Sequence, residues 1–264
     1  MLALCLAMAA PFSTVAALSN GNALAAPLKI MPLGDSITDG YNVSGGYRTE
    51  LWRLLTNAGT AVNFVGTQQS GPSNLPDKDH EGHSGWCISP IVSSVSGWLQ
   101  TYQPDVVLLM IGTNDLHEDN YPGAWNYGCS YDEATARLGT LVDTIIAASP
   151  GVRLIVGTLP PQVGQVSNQR VHAFNAAIPT MVSNKAAQGA RVSWADINGA
   201  LTLADLADKV HPNAAGYNKI AEVWRDALLG CESGFADVPD DDPACAAIAA
   251  LSSQQIIRGY ATTP

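Results

Sequence analysis

Positive charge is scarce in this chain. Its 264 residues carry 13 Lys and Arg against 23 Asp and Glu, a net charge of −10. Such a surface repels phosphate backbones, so no nucleic acid is expected as a partner, and docking on anionic membranes is disfavoured. Charge of either sign is sparse at 14% of residues, while hydrophobic residues reach 47%. That balance excludes a disordered chain and allows a sizeable core. Beyond residue 26 no apolar stretch is long enough to cross a bilayer, so no membrane span is expected. The length suits one α/β domain with a small extension and is too short for two full-sized domains.

Cysteine is rarer still, with five residues, and its reading depends on the N-terminus. Residues 1–26 are apolar, small and nearly uncharged, and end in Ala23-Leu24-Ala25 before Ala26. A small-x-small site of this kind predicts a signal peptide over 1–26 and a secreted product. The segment has no Lys or Arg at its start, which departs from the usual signal. The other reading is an ordinary hydrophobic helix, but Pro11, Asn20, Gly21 and Asn22 would break it. Cys5 would leave with the leader, and it lacks the small preceding residue of a lipoprotein anchor. Cys87, Cys129, Cys231 and Cys245 remain, an even number that suggests two disulfides in an exported chain. Of three pairings, Cys87–Cys129 with Cys231–Cys245 is favoured, because the second closes a short local loop. Buried free thiols are the alternative.

Short apolar or β-branched runs alternate with helical patterns. Strands are expected at Leu28–Leu33, Val62–Val65, Val106–Ile111, Leu154–Val156 and Val192–Trp194. Helices are expected at Tyr47–Asn57, Asp132–Ala148, Val166–Gln188 and Ala214–Leu229, with Pro179 kinking or interrupting the third. The run VVLLMI reads as a strand buried on both faces. The alternation implies a parallel sheet with helices on both faces. Pro32 ends the first strand and cannot donate to a ladder, so its nitrogen should face a point where pairing stops. In such sheets ligands bind beyond the carboxyl ends of the strands, which directs attention to the loops there.

Four pieces in those loops carry chemistry. The first is Gly34-Asp35-Ser36-Ile37-Thr38-Asp39-Gly40. Ser36 stands where a buried strand turns, with backbone N–H groups near a developing oxyanion. Position 38 is Thr, so this is not the Gly-x-Ser-x-Gly elbow. The bland alternative is a helix-capping Ser. The second is Asp208-Lys209-Val210-His211-Pro212. Asp208 can accept from one ring nitrogen of His211 while the other faces Ser36, as a serine nucleophile needs. Alternatively, His211 is a surface residue beside a helix capped by Asn213. The third is Gly112-Thr113-Asn114-Asp115, where Asn114 could donate to an oxyanion or simply occupy a turn. The fourth is Glu81-Gly82-His83-Ser84-Gly85-Trp86, where Gly85 could offer an unhindered N–H. His80 and His83 have H-x-x-H spacing, but no Cys or third His completes a zinc site, so no metal and no cofactor are expected.

Together the four pieces resemble the SGNH (GDSL-like) hydrolase superfamily, in the family's order and across residues 28–229. The resemblance implies a three-layer α/β/α fold with a central parallel, flavodoxin-like sheet over residues 27–230. It implies Ser36 as nucleophile, Asp208 and His211 completing a triad, and Ser36, Gly85 and Asn114 as the oxyanion hole. GDSITDG, the GGYR at Gly45–Arg48, FVGT at Phe64–Thr67 and DHEGHSGW at Asp79–Trp86 are most similar to carbohydrate esterase family 3. That group implies an acetyl xylan esterase-like activity on acylated carbohydrate or small esters. Asp35, Tyr41, Trp86 and Trp125 are then expected to bind substrate. Tyr41, Tyr47, Trp86, Tyr121, Trp125 and Tyr127 are aromatics of the crevice loops that either stack on sugar rings or pack the loops down. Rival readings are a broad carboxylesterase, lipase or thioesterase on the same triad, and an inactive carbohydrate-binding, wall-associated module.

Residues 231–264 change character. An acidic DVPDDD linker precedes a short amphipathic run that resembles the opening of an S-layer homology repeat. The resemblance implies association with the cell envelope. The aspartates read as a solvated linker in preference to a Ca²⁺ site.

Overall fold

The computed structural model describes residues 26–117 and 129–230. Strand β1 (Leu28–Gly34) lies at the centre of a mostly parallel sheet. On one side it pairs with β5 (Val106–Met110), which continues to β6 (Arg153–Gly157) and β7 (Val192–Ala195). On its other side it pairs in succession with two strands, both parallel to it. Its first residues run beside β2 (Val62–Phe64) and its last two beside β4 (Asp79–Gly82). A two-residue strand β3 (Gln68–Gln69) closes this edge antiparallel to β4.

Pro32 falls in the gap between those two partners. Ile30 O accepts from Val65 N–H, and Gly34 O accepts from His83 N–H. Residues 30, 32 and 34 therefore turn their backbone groups the same way. At Pro32, β2 has ended and β4 has not begun, so no ladder bond is lost.

The helices are α1 (Ser36–Asp39), α2 (Gly46–Asn57), α3 (Ile88–Tyr102), α4 (Ala134–Ala148), α5 (Gln165–Ala186), α6 (Ile197–Ala200) and α7 (Ala214–Leu229). α2 packs on α7, α3 on α4, and α4 on α5, giving the layers that cover the sheet. β5 explains why both faces need cover, since all five of its residues, VVLLM, are buried. Each such side chain contributes roughly 1.5–3 kcal/mol on burial. Leu138, Leu141, Val142 and Ile145 form the inward stripe of α4, as their spacing predicts.

Three differences from the sequence expectation stand out. α5 runs through Pro179 as one 22-residue helix, so the proline does not interrupt it. The missing N–H removes a single ladder bond, and Val171, Phe174, Ile178 and Val182 hold the buried face on both sides of it. α3 is absent from the expected helices, although Ile88, Ile91, Val95 and Leu99 recur at helical spacing on its buried side. Its serines, Pro90 and Gly97 dilute that pattern; Pro90 sits in the first turn, where no intrahelical N–H is needed. β4 is absent from the expected strands because its buried residues are His80 and Glu81, which read as polar loop.

Among the described residues no helix is long and apolar enough to cross a membrane. The expected leader up to residue 25, the S-layer-like segment, Cys231–Cys245, Tyr121, Trp125 and Tyr127 lie outside the described residues.

Candidate active site

β1 delivers Gly34-Asp35-Ser36 at the carboxyl end of the sheet. Strands β1 and β5 are packed so closely here that a Cβ on Gly34 would lie 2.2 Å from Met110 O. Asp35 caps α1, its Oδ1 accepting from Ile37 N–H at 2.9 Å. Ser36 therefore opens the helix, and its own N–H has no intrahelical acceptor. Asp35 is wholly buried, which corrects its expected role as a substrate-binding residue. Burial pushes its pKa up to about 6, against the pull of the Ile37 N–H, the Thr113 hydroxyl and the His211 ring.

Behind Ser36 the turn is clamped by Arg48, whose guanidinium is buried. Nε donates to Thr38 O at 3.0 Å, and Nη2 donates to Asp39 O at 3.1 Å and Ser70 O at 2.9 Å. Burial lowers the guanidinium pKa to about 10, with nearby Tyr47 and Asp39 opposing. Ser70 Oγ donates to Asp39 Oδ1 at 2.8 Å and contacts His80 Nε2 at 2.8 Å. His80 Nδ1 accepts from Gly82 N–H, which fixes that ring as the neutral Nε2–H tautomer. His80 and His83 thus serve separate local networks, since His83 Nε2 pairs with Glu81 Oε1 at 2.6 Å.

The structure brings Asp208 and His211 to this same rim, His211 lying 175 residues beyond Ser36. Ser36 Oγ lies 2.8 Å from His211 Nε2, and His211 Nδ1 lies 2.8 Å from Asp208 Oδ2. Asp208 Oδ1 also accepts from Val210 N–H at 2.8 Å and His211 N–H at 2.7 Å. Partial burial pushes the Asp208 carboxyl up, but these N–H groups, the Asn42 amide and the His211 ring outweigh it. The net effect holds the carboxyl well below the usual range. The turn is closed by Ala207 N–H donating to His211 O at 2.8 Å. Asn213 caps α7, its Oδ1 accepting from Gly216 N–H at 3.0 Å. The helix-start setting and the pairing with Ser36 hold together.

Gly85 and Asn114 come to the adjoining part of the rim. His83 N–H donates to Gly34 O at 2.9 Å, which docks the 83–86 turn against the end of β1. Trp86 N–H closes that turn on His83 O, and Gly85 occupies its third position at φ +83°, a conformation that favours glycine. Asn114 Nδ2 donates to Trp86 O at 2.7 Å, leaving its second N–H for another acceptor. Asp115 joins the two segments from beneath. Its Oδ2 accepts from Ile88 N–H at 3.1 Å, and its Oδ1 pairs with Arg137 Nη2 at 3.0 Å. Cys87 is disulfide-bonded to Cys129, as expected for that pair.

The aromatics divide. Tyr41 is 68% exposed, and its ring centroid lies 5.0 Å from that of His211. Trp86 is half-buried and stacks on His83 with centroids 4.1 Å apart. Tyr47 is fully buried beside Trp224, so of the two readings open to the crevice aromatics it takes the packing one. Asn42, Arg48 and Asp115 are not marked as site residues by the sequence. Nothing in composition or spacing distinguishes Asn42, which meets Asp208 only through the fold. No three His, Cys, Asp or Glu side chains among the described residues are grouped to hold a metal.

Comparison with known proteins matches residues 33–219 to the GDSL-like Lipase/Acylhydrolase family. The chain belongs to that family. It is similar to a family 3 carbohydrate esterase of Clostridium thermocellum, with 41% identity and a TM-score of 0.64. That match covers 75% of this chain and 94% of the other. A family 3 carbohydrate esterase from Talaromyces cellulolyticus gives 33% identity and a TM-score of 0.64, covering 76% and 96%. A multidomain esterase of Ruminococcus flavefaciens is 32% identical over 234 residues. The match covers 78% of this chain but only 29% of that protein. The chain is therefore an esterase of the acylhydrolase type, with the mostly parallel α/β fold of its solved relatives.

Proposed function

We propose that this esterase removes short acyl groups, acetyl above all, from a plant polysaccharide such as acetylated xylan, using Ser36, His211 and Asp208. The observation that carries the reading is the unbroken chain from Ser36 Oγ to His211 Nε2 and from His211 Nδ1 to Asp208 Oδ2. His211 takes the Ser36 proton as Oγ attacks the ester carbonyl. The carbonyl π electrons move to oxygen, and the resulting oxyanion is met by the Ser36 and Gly85 N–H groups and the Asn114 amide. The intermediate collapses, the C–O bond to the alcohol breaks, and the leaving oxygen takes the proton from His211. Water then attacks the acyl-Ser36 carbonyl by the same path, releasing the carboxylic acid and restoring the hydroxyl. Asp208 stays ionised throughout, consistent with its depressed pKa.

Exposed Tyr41 beside His211 offers an aromatic face where a sugar ring carrying the ester would lie. The similarity to solved carbohydrate esterases supports the same substrate class. The Cys87–Cys129 disulfide supports work in an oxidising compartment outside the cell. The test is a series of p-nitrophenyl esters of increasing acyl length, together with acetate release from acetylated xylan. Rates falling steeply beyond short acyl chains, with acetate released from the xylan, are the expected outcome. A flat or rising response to chain length would overturn the acetyl assignment in favour of a broad carboxylesterase.

A further inference from the structure

The loop that follows the nucleophile turn reaches back to the acid of the triad. Asn42, on that loop, donates from Nδ2 to Asp208 Oδ2 at 2.9 Å. That is the oxygen facing His211 Nδ1. The backbone N–H groups of Val210 and His211 both go to the other oxygen, Oδ1. Backbone donors thus pin one oxygen of the carboxylate, and Asn42 pins the one that orients the imidazole. The neighbouring Tyr41 ring lies against His211. The dipeptide Tyr41-Asn42 therefore touches both members of the acid–base pair from the loop that carries Ser36.

We propose that Asn42 is a positioning residue for hydrolysis, its amide fixing the Asp208 carboxylate toward His211 Nδ1 and tying that orientation to the Ser36 loop. The inference rests on the triad reading above. A neutral donor on Oδ2 also shares the carboxylate's charge with the imidazolium that forms during the reaction. Removing it leaves the full carboxylate to the ring, which then holds its proton more tightly. The other groups facing this pair are Asp35 on the β1–α1 turn, Tyr41, and Tyr217 on α7, which interacts with both Asp208 and Asp35. Lys209 lies between Asp208 and His211 in the chain. All of these are unchanged in an Asn42 variant, so a difference between its pH profile and that of the parent reports the lost or altered amide.

The experiment measures kcat and KM on p-nitrophenyl acetate from about pH 4.5 to 9 for the parent, Asn42→Ala, Asn42→Gln and Asn42→Asp, with a thermal melt of each. Asn42 is exposed, so the melts should coincide. Asn42→Ala is expected to lower kcat about three- to tenfold with KM unchanged. Its acid limb should move to higher pH. Asn42→Asp should move that limb further, because a second carboxylate holds the imidazolium, and Asn42→Gln should recover part of the rate. If Asn42→Ala fails to fold, the limb of Asn42→Asp decides alone. Parent-like kcat and an unmoved limb would overturn the proposal, as would a rise in KM alone, which would make Asn42 a substrate contact. Full activity in Ser36→Ala would instead remove the triad reading itself, so the two failures are distinguishable.

Discussion

The two halves of the proposed catalytic pair are built on opposite plans. Ser36 is only 5% exposed and stands on a floor of fully buried polar groups, Asp35, Thr38 and Arg48. Backbone carbonyls from three segments of chain converge on the Arg48 guanidinium. The Asp208–His211 half is one short turn, with the Asp208 side chain 42% exposed, held by its own N–H groups and by Asn42. The proposed nucleophile is thus fixed on a floor closed to water, where dipoles act most strongly. The acid–base pair sits where protons exchange with solvent. Mutations in the two halves should therefore fail in different ways.

Removing the hydroxyl gives the largest expected effect. Ser36→Ala should lower kcat/KM on p-nitrophenyl acetate by about 10⁴-fold or more, with the melting temperature unchanged. A variant keeping a tenth of the parent rate would exclude Ser36 as nucleophile. On the exposed side the corresponding perturbation is His211→Ala, which should lower kcat/KM on the same ester about as far, because nothing then accepts the Ser36 proton. A rate within about tenfold of the parent would count against that role.

Asn114→Ala comes next. It should cost about 10²–10³ in kcat with little change in KM, since an oxyanion donor acts in the transition state. Asn114 also supports the Trp86 carbonyl. Asn114→Asp, which is negatively charged at neutral pH and so a poor oxyanion donor, should therefore remain as slow as the alanine variant. Asp115→Ala tests the brace under the same donors. It removes the acceptor for the Ile88 N–H and the carboxylate opposite Arg137, which keeps only the Ser130 and Asp132 carbonyls, so urea unfolding should show a loss of about 2–4 kcal/mol. A loss well under about 1 kcal/mol would mean the disulfide alone holds these loops.

The same contrast explains what the sequence could disclose. The core strands and α7 were legible because burial on both faces, or on one helical stripe, writes itself as apolar periodicity. Asp208 and His211 were legible because both fall in one turn, and Ser36 because it follows the end of a strand. The buried polar floor was not legible. Arg48, His80 and Glu81 fall in stretches that carry the family resemblance, but nothing in the sequence marks them as buried until the fold supplies their partners. Asp35 reads as a substrate contact for the same reason, since a carboxyl beside a nucleophile carries no mark of its burial. Asn42 is the extreme case, because its bond spans 166 residues and follows no local rule.

Asp35 makes the sharpest test of the buried half. Its pKa of about 6 in the folded protein stands above the ordinary 3.8, because burial penalises the charged form. A raised carboxyl pKa means the folded state binds the extra proton between those two values. Folding is therefore favoured by this group below about pH 4, and the contribution is lost as pH rises through about 6. Above that, the buried charge costs up to about 3 kcal/mol, since each pH unit separating the two values is worth about 1.36 kcal/mol. Asn keeps the Oδ1 acceptor for Ile37 and carries no charge. Asp35→Asn should thus be more stable than the parent at about pH 8, by about 1–3 kcal/mol, and the advantage should shrink to nothing near about pH 4. Urea unfolding at the two pH values checks it, and an equal difference at both would show that Asp35 does not titrate in this range. The expected cost lies in rate. Asp35 favours the positive charge that His211 gains in the transition state, so the more stable variant should be the slower enzyme.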